Sequence, residues 1–487
     1  MGVKLSNDNT GLATVISSTP IIVFGGISKF GYVRATATEV FLKGKNISSP
    51  IVLEGAIQTL TNDLATTALM QQSKNNEMSL PAKMAMGLFF RAYLRLLPTS
   101  LLPAMLRTAA YPPLKPPPSG VVSYDSCPKE YPVSEALVKF SAALQTSGEA
   151  KYTDDFTASI AGGCVHVSHV LAEYANARIQ SMDWSAALAL DSSIQVVDSS
   201  TLLGNGMMNG YSDDEPYLLS AGDRVSYYGQ VIALVIGKSR SLSRKAAKLV
   251  HVRYDDIQKP ILSIDDAIAA ESYFPSDPQA ASLSQGNFNE ALADADTVVS
   301  GWVECGSQYH FYMETQTSLA LPQEGGDIII KASTQSPTSI QGAVAKALQM
   351  SSNRITVEMK RGGGGYGGKG ERSIPPAVHA AVAASLTRKP ASCVLDINTN
   401  MLAVGSRRPH KAHFRAAVKG GFIRGLELDV YNMQGAFTDM GDTPALIVAP
   451  AIDGVYSISN WDVHGKCCRT NTAANTSCRG PAWLPGK

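Results

Sequence analysis

The alternation of apolar and polar positions predicts an α/β unit in the middle of the chain. Residues 231–236 form a short apolar run bounded by glycines, which is typical of a buried strand. Residues 241–249 are rich in alanine, lysine and arginine and are predicted to form a helix. Residues 250–254 then alternate apolar and polar, as in a second strand. Strand, helix and strand in this order indicate an α/β unit.

A second series of elements is predicted further along, where strands and helices again alternate. Ser336 can cap a helix that has Pro337 in its first turn. Six of the seven residues 362–368 are glycine, and this loop follows a predicted strand and precedes a predicted helix. The predicted elements are strand 327–333, helix 337–350, strand 354–359, helix 377–386 and strand 393–396.

Length and composition indicate several globular domains. The chain has 487 residues, of which 45% are hydrophobic, enough for about three domains with buried cores. Residues 106–146 contain a proline-rich stretch that favours an extended linker. We therefore expect domains at residues 1–105, 147–268 and 285–487, with α/β and α+β architecture.

Charge and hydropathy give no reason to expect nucleic acid or a membrane as a partner. The 42 Lys and Arg residues nearly balance the 41 Asp and Glu residues, so no global field attracts nucleic acid or an anionic membrane. The most apolar candidate span, residues 84–105, is interrupted by Arg91 and Arg95 and is predicted to be an amphipathic helix. The N-terminus lacks the pattern of a secretory signal, which favours a cytoplasmic location.

Cysteine and histidine spacing predicts no metal ligands. The seven cysteines are scattered without a Cys-x-x-Cys pair, which favours reduced thiols over disulfides. His166 and His169 lie three residues apart, as do His410 and His413, but neither pair is accompanied by a set of cysteines or carboxylates at metal-ligand spacing. The basic run at residues 407–411 is expected to be a solvated strand edge.

The glycine loop leaves three interpretations open when it is considered alone. Its amides, with those of the following helix, can hold an anion or another strong acceptor. Gly363, four residues and then Gly368-Lys369 nearly match a P-loop, but Gly370 stands where Ser or Thr would hold magnesium. A dinucleotide-binding pattern also fits, because a polyglycine tract satisfies many patterns. A structural turn without a ligand is the third interpretation.

The surrounding segments resemble the xanthine dehydrogenase and aldehyde oxidase family of molybdenum hydroxylases. The resemblance follows the family's order over most of the chain. Residues 20–100 look like the end of its flavin domain, and residues 147–155 look like the start of its a/b hammerhead domain. The segments that resemble its first molybdopterin-binding domain are 308–314, 333–335, 360–369, 408–409, 470–471 and 475–480.

The resemblance implies a molybdopterin cofactor against the glycine loop, with the metal held by the pterin's sulfurs rather than by a protein ligand. Backbone contacts to the cofactor are implied for Gly364, Gly365, Tyr366 and Gly367. Gln308 matches a glutamine that hydrogen-bonds to the molybdenum oxygens. Arg479 matches an arginine whose loop contacts the cofactor.

The implied reaction is hydroxylation of an aldehyde or N-heterocycle with oxygen from water. In the complete enzyme, a homodimer, electrons would pass through 2Fe-2S clusters to FAD. Gly370 stands where the xanthine-type pocket has a glutamate, and Ile447 aligns with its second purine-binding arginine. Because purine recognition needs such polar anchors, an aldehyde oxidase-like pocket is favoured, with purine oxidation as the alternative.

The chain also departs from the family pattern. After Arg479-Gly480 the family has a phenylalanine and further glycine, whereas residues 481–483 read Pro-Ala-Trp. The family's iron–sulfur domains and its second molybdenum domain, which carries the general-base glutamate, are not matched. We therefore expect that the chain expressed alone neither retains molybdopterin nor oxidises aldehydes. An inactive fragment or an interaction protein remains the alternative at this point.

Overall fold

The structure is a computed structural model, and the chain divides into two compact units, residues 1–136 and 137–487. Within the described residues, no helix combines the length and the apolar character needed to cross a bilayer. Ile447 lies outside the described residues. The structure describes residues 2–8, 10–28, 31–65, 80–112, 120, 125–202, 206–207, 214–275, 282–439 and 454–480.

The first unit contains two antiparallel hairpins and a group of helices. Its strands are β1 (Leu5–Asn7), β2 (Ala13–Ile16), β3 (Val23–Ser28) and β4 (Gly31–Arg34), and its helices are α1 (Thr36–Leu42), α2 (Pro50–Ala65), α3 (Leu80–Leu96) and α4 (Arg107–Ala110). Ala56, Leu60 and Leu64 recur every four residues on α2 and contribute to the core of this unit. The amphipathic helix predicted from the pattern corresponds to α3, which ends two residues before Pro98.

The second unit is built around a mixed seven-stranded sheet. In hydrogen-bonded order its strands are β15 (Ile355–Glu358), β14 (Ile328–Ala332), β13 (Thr317–Pro322), β16 (Ala391–Val394), β5 (Val165–Leu171), β9 (Val231–Gly237) and β7 (Gln195–Val197). Two helices, α10 (Pro337–Leu348) and α11 (Ile374–Thr387), supply much of the core against this sheet. The second predicted series of strands and helices is therefore observed within one layered structure.

Within its described residues, this unit also contains two smaller sheets. One has the order β10 (His251–Asp255), β6 (Ala177–Asp183) and β8 (Arg224–Val225), and the other has the order β11 (Ser282–Gln285), β19 (Asn460–Arg469), β18 (Phe422–Gly435), β17 (His410–Lys419) and β12 (Thr297–Cys305). The remaining helices with described bounds are α5 (Ala142–Ser147), α6 (Ser185–Leu190), α7 (Arg240–Ala247), α8 (Ile264–Ala269), α9 (Phe288–Ala293) and α12 (Ile397–Ala403).

The strand, helix and strand predicted at residues 231–254 are present as β9, α7 and β10, but the two strands belong to different sheets. Their burial explains the separation. Nearly all of β9 is buried, as a central strand requires, whereas β10 is exposed or half-buried throughout. The predicted order of strand, helix and strand is observed, but the expectation that the two strands belong to one α/β unit is wrong.

A buried charge cluster fixes the chain between the glycine loop and α11. The guanidinium of Arg372 lies 2.6 Å from Glu215 and 2.8 Å from Asp439, and all three side chains are almost inaccessible to solvent. A buried cation needs such partners, because its desolvation is otherwise uncompensated. The loop is thereby connected to segments far away in the sequence.

Replacing Arg372 by methionine should lower the free energy of unfolding by about 3–5 kcal/mol, because two buried carboxylates lose their counter-ion. Chemical denaturation followed by circular dichroism measures this. The control is Arg178→Met, which breaks the exposed pair with Asp255 and should change the free energy of unfolding far less, because solvent screens an exposed ion pair. Equal losses in the two variants would contradict the importance of the buried cluster.

Candidate functional site

The glycine loop joins β15 to the start of α11 and adopts a backbone that only a few residue types tolerate. Gly364 and Gly367 have φ values of +95° and +99°, and Tyr366 between them has φ of +54°. A Cβ on Gly367 would overlap the carbonyl of Ser477, and one on Gly364 would lie 3.0 Å from the Cβ of Tyr312. The backbone conformation favours glycine at both positions, and at Gly367 there is also no space for a side chain.

The same loop packs against three of the segments that carried the family resemblance. A Cβ on Gly365 would lie 2.6 Å from the side-chain oxygen of Gln335, and one on Gly368 would lie 2.7 Å from the His310 ring. His310 in turn contacts the Ser477 carbonyl through Nε2 at 2.8 Å. The fold therefore brings residues 308–314, 333–335 and 475–480 together around the loop.

Some loop amides are held by side chains and others are not. The Gly363 amide donates to Glu314 Oε2 at 2.7 Å, and the Gly367 amide donates to Gln335 Oε1 at 2.9 Å. The amides of the three residues between them form no hydrogen bond with any residue that the structure describes; these are Gly364, Gly365 and Tyr366. Three consecutive backbone donors on a locked loop fit a cofactor that presents oxygen acceptors.

Lys369 does not behave as a phosphate-binding lysine of a P-loop. Its side chain is only 1% exposed, and Nζ donates to Ser333 Oγ at 2.7 Å. Nζ also lies 3.4 Å from Glu314 and 4.8 Å from the centre of the Tyr312 ring. Burial lowers the pKa of Lys369, and the charge of Glu314 opposes this. The ammonium group of Lys369 therefore binds the protein's own Ser333 and Glu314 and is not available to a phosphate. This argues against a nucleotide site.

Gln308 and Arg479 are brought to the same side of the loop by a residue that the sequence patterns did not single out. Arg407 donates through Nε to Gln308 Oε1 at 3.1 Å and through Nη2 to the Arg479 carbonyl at 2.8 Å. The Arg479 amide donates to the Tyr366 carbonyl at 2.7 Å. Gln308, Tyr366 and Arg479 are all exposed, so this side of the loop is accessible to a ligand.

The basic run at residues 407–411 was expected to be a solvated strand edge, and this expectation is wrong. Arg407, Arg408 and His410 are only 6–7% exposed. Burial lowers the pKa of His410 to about 4. The sequence contained one indication that Arg407 is functional, because it immediately precedes Arg408-Pro409, which carry part of the family resemblance. Sequence spacing alone could not identify the groups that its guanidinium binds.

The two predicted pocket residues have different outcomes. Gly370 is half-buried and ends the loop, and the next residue, Glu371, is buried in a short turn with 1% exposure. The Glu371 carboxylate therefore does not replace the missing glutamate on the accessible side. Ile447 lies outside the described residues.

Two family profiles match the chain. The a/b hammerhead domain of aldehyde oxidase and xanthine dehydrogenase matches residues 147–258, and the molybdopterin cofactor-binding domain matches residues 273–486. The xanthine dehydrogenase of Emericella nidulans is 31% identical over 484 residues, covering 94% of this chain and 33% of that protein. The probable aldehyde oxidase 3 of Oryza sativa subsp. japonica is 32% identical over 498 residues, covering 96% of this chain and 36% of that protein.

Among solved structures, the aldehyde oxidoreductase of Desulfovibrio gigas is similar over 70% of this chain and 39% of its own, with a TM-score of 0.64 and 24% identity. This likeness concerns the fold, and with the two profiles it confirms the predicted α/β and α+β multidomain class. The chain spans about a third of the length of the two curated relatives named above. The profiles and the relatives show that this chain belongs to the xanthine dehydrogenase and aldehyde oxidase family of molybdenum hydroxylases.

Proposed function

We propose that the loop at residues 362–368 holds the molybdopterin cofactor of an enzyme that oxidises aldehydes with oxygen from water. The observation that carries the proposal is the row of three open amides at Gly364, Gly365 and Tyr366, flanked by Gln308 and Arg479. When bound, the cofactor would supply the oxygen transfer to carbon and accept the electrons.

The backbone donors are fixed before any ligand arrives. Because the conformations of Gly364 and Gly367 are confined by their φ values and their neighbours, the amides between them need little rearrangement to bind a ligand. Gly367 contributes through the shape of the loop, since Gln335 already accepts from its amide. Beside the backbone contact that the resemblance implies, we therefore propose a conformational role for Gly367.

Arg407 determines which end of the Gln308 amide is available. Since Gln308 Oε1 accepts from Arg407 Nε, the side-chain NH₂ of Gln308 remains as a donor for a ligand oxygen. The other nitrogens of Arg407 donate to the carbonyls of Arg479, Cys478 and Gly480. One buried guanidinium therefore positions two of the implied cofactor contacts.

The substrate class is proposed from the pocket residues, because relatives of both names match the chain to a similar extent. Gly370 offers no side chain, Glu371 is buried, and Ile447 is apolar. A pocket without paired hydrogen-bonding anchors suits an aldehyde better than a purine. Purine oxidation is the second candidate.

We assign the remaining segments by the family resemblance. Residues 1–105 would be the C-terminal part of an FAD-binding domain, residues 147–268 the hammerhead domain, and residues 285–487 the molybdopterin-binding domain. In the complete enzyme, expected to be a cytoplasmic homodimer, 2Fe-2S clusters would carry electrons from the molybdenum to FAD.

The first test is Gly364→Ala. Its strained φ, worth about 1–3 kcal/mol, should redirect the amides and weaken molybdopterin binding about 10-fold. Binding is measured at equilibrium by pterin fluorescence, because a complex that exchanges rapidly is lost during purification. Gly342→Ala is the matched control, since Gly342 lies in α10 with open space around it. Unchanged binding in Gly364→Ala would remove the loop from the proposed cofactor site.

The second test is Arg407→Lys, which keeps the charge but loses the fork that reaches both Gln308 and Arg479. Pterin affinity should fall about 10-fold, corresponding to about 1.4 kcal/mol. A double-mutant cycle with Gln308→Ala distinguishes positioning from general destabilisation. If Arg407 acts through Gln308, the two losses are not additive. Additive losses would show that the contact between them has no role in binding.

The third test concerns the substrate pocket. Gly370→Glu combined with Ile447→Arg, introduced into the assembled holoenzyme, should raise kcat/KM for a purine relative to an aromatic aldehyde by about 10-fold or more. The reason is that both polar anchors are restored. The single variants serve as controls, since one anchor alone cannot orient the ring. An unchanged ratio in the double variant would refute the pocket argument.

A further inference from the structure

Three metal-ligating side chains meet inside the second unit, and none of them belongs to the glycine loop. They come from distant parts of the sequence: His169 on β5, His379 on α11 and Cys393 on β16. One ligand atom from each lies within 4.8 Å of the other two. His169 Nε2 is 3.0 Å from His379 Nδ1 and 3.7 Å from Cys393 Sγ.

The two distances from His169 Nε2 are close to those between neighbouring corners of a tetrahedral zinc site. With Zn–N near ~2.05 Å and Zn–S near ~2.3 Å, tetrahedral angles place two nitrogens ~3.4 Å apart and a nitrogen and a sulfur ~3.6 Å apart. The observed 3.0 Å and 3.7 Å differ from these values by a few tenths of an ångström or less. The ligand atoms of His379 and Cys393 lie within 4.8 Å of each other, and side-chain rotation would have to bring this pair to about 3.6 Å.

We propose that His169, His379 and Cys393 bind a divalent transition-metal ion of the zinc type, with water as the fourth ligand. Imidazole and thiolate are the ligands that zinc prefers. Zinc binds the neutral imidazole ring and the deprotonated thiolate, so binding would release the thiol proton of Cys393. The proposal rests on the distances among the three side chains and does not depend on the proposed function.

The surroundings provide room for the fourth ligand and a route for the ion. A cavity of about 40 Å³, large enough for a water molecule, is lined by His169 and His379 together with Glu215 and Tyr217. His169 is itself partly exposed and also lines a pocket of about 500 Å³ that includes Asp396.

The three ligands also connect two segments of the chain. His169 lies within the segment matched by the hammerhead profile, and His379 and Cys393 lie within the segment matched by the molybdopterin-binding profile. A bound ion would therefore cross-link the two segments through their cores. Because an ion that binds only the folded state stabilises it, metal loading should raise the unfolding temperature.

The experiment uses the full chain, purified without chelator. Metal content is measured by mass spectrometry, and Co²⁺ is then titrated into the metal-free protein as a spectroscopic probe. The test variant is Cys393→Ala and the matched control is Cys164→Ala. Cys164 also lies near a histidine, with 3.6 Å between its Sγ and His166 Nε2, but it forms no cluster of three metal-ligating side chains with the residues that the structure describes.

The proposal expects about one zinc ion per chain and, with Co²⁺, the visible bands of tetrahedral cobalt together with a thiolate-to-cobalt charge-transfer band. Cys393→Ala should weaken Co²⁺ binding by more than about 100-fold, because losing a ligand costs more than losing an outer-shell partner. Cys164→Ala should bind as the unchanged protein does. His379→Ala provides a second test if Cys393→Ala does not fold, as judged by circular dichroism.

Two results would overturn the proposal. The first is a wild-type chain that takes up neither zinc nor cobalt and whose unfolding temperature is the same with and without the ion. The second is metal binding that persists unchanged in a folded Cys393→Ala or His379→Ala variant, which would place the ion elsewhere. Both results are independent of pterin binding, so they leave the proposed function untouched.

Discussion

The site depends on a steric constraint: the glycine loop passes closer to its neighbours than a side chain permits. Gly365 lies against Gln335, Gly367 against Ser477 and Gly368 against His310, and a Cβ at any of these glycines would collide with its neighbour. This proximity aligns the loop with three other segments and fixes the direction of its amides. The open donors are thus a product of packing, since an exposed loop of the same composition would be free to turn.

Buried polar groups then hold the framework around this contact. The buried pair of Lys369 and Glu314 supports the loop from the protein interior. Arg407 connects the segments that carry Gln308 and Arg479. Arg372 fixes the transition into α11 through carboxylates from two other segments. Each of these cations is paired or hydrogen-bonded, as burial demands, so the loop cannot shift without leaving a charge uncompensated.

Much of this arrangement could be predicted from local sequence, and the remainder could not for a physical reason. The strand before the glycine loop and the helix after it follow from periodicity and from glycine chemistry, which act over a few residues. Arg407 was misjudged because a run of basic residues is usually solvated, and its carbonyl partners lie more than 70 residues away. The cluster of His169, His379 and Cys393 shows the same limit, since its members lie on three separate elements of the sheet and helix layers.

The seven-stranded sheet has a consequence for how the protein can be divided. β5 and β9 come from the segment matched by the hammerhead profile, whereas β13 to β16 come from the segment matched by the molybdopterin-binding profile. The parallel pairing of β16 with β5 makes these segments one continuous hydrogen-bonded surface. Separating them would expose the edges of two strands at once, so gene fusions or expression boundaries placed between the two segments would create open, aggregation-prone edges rather than two independent folding units.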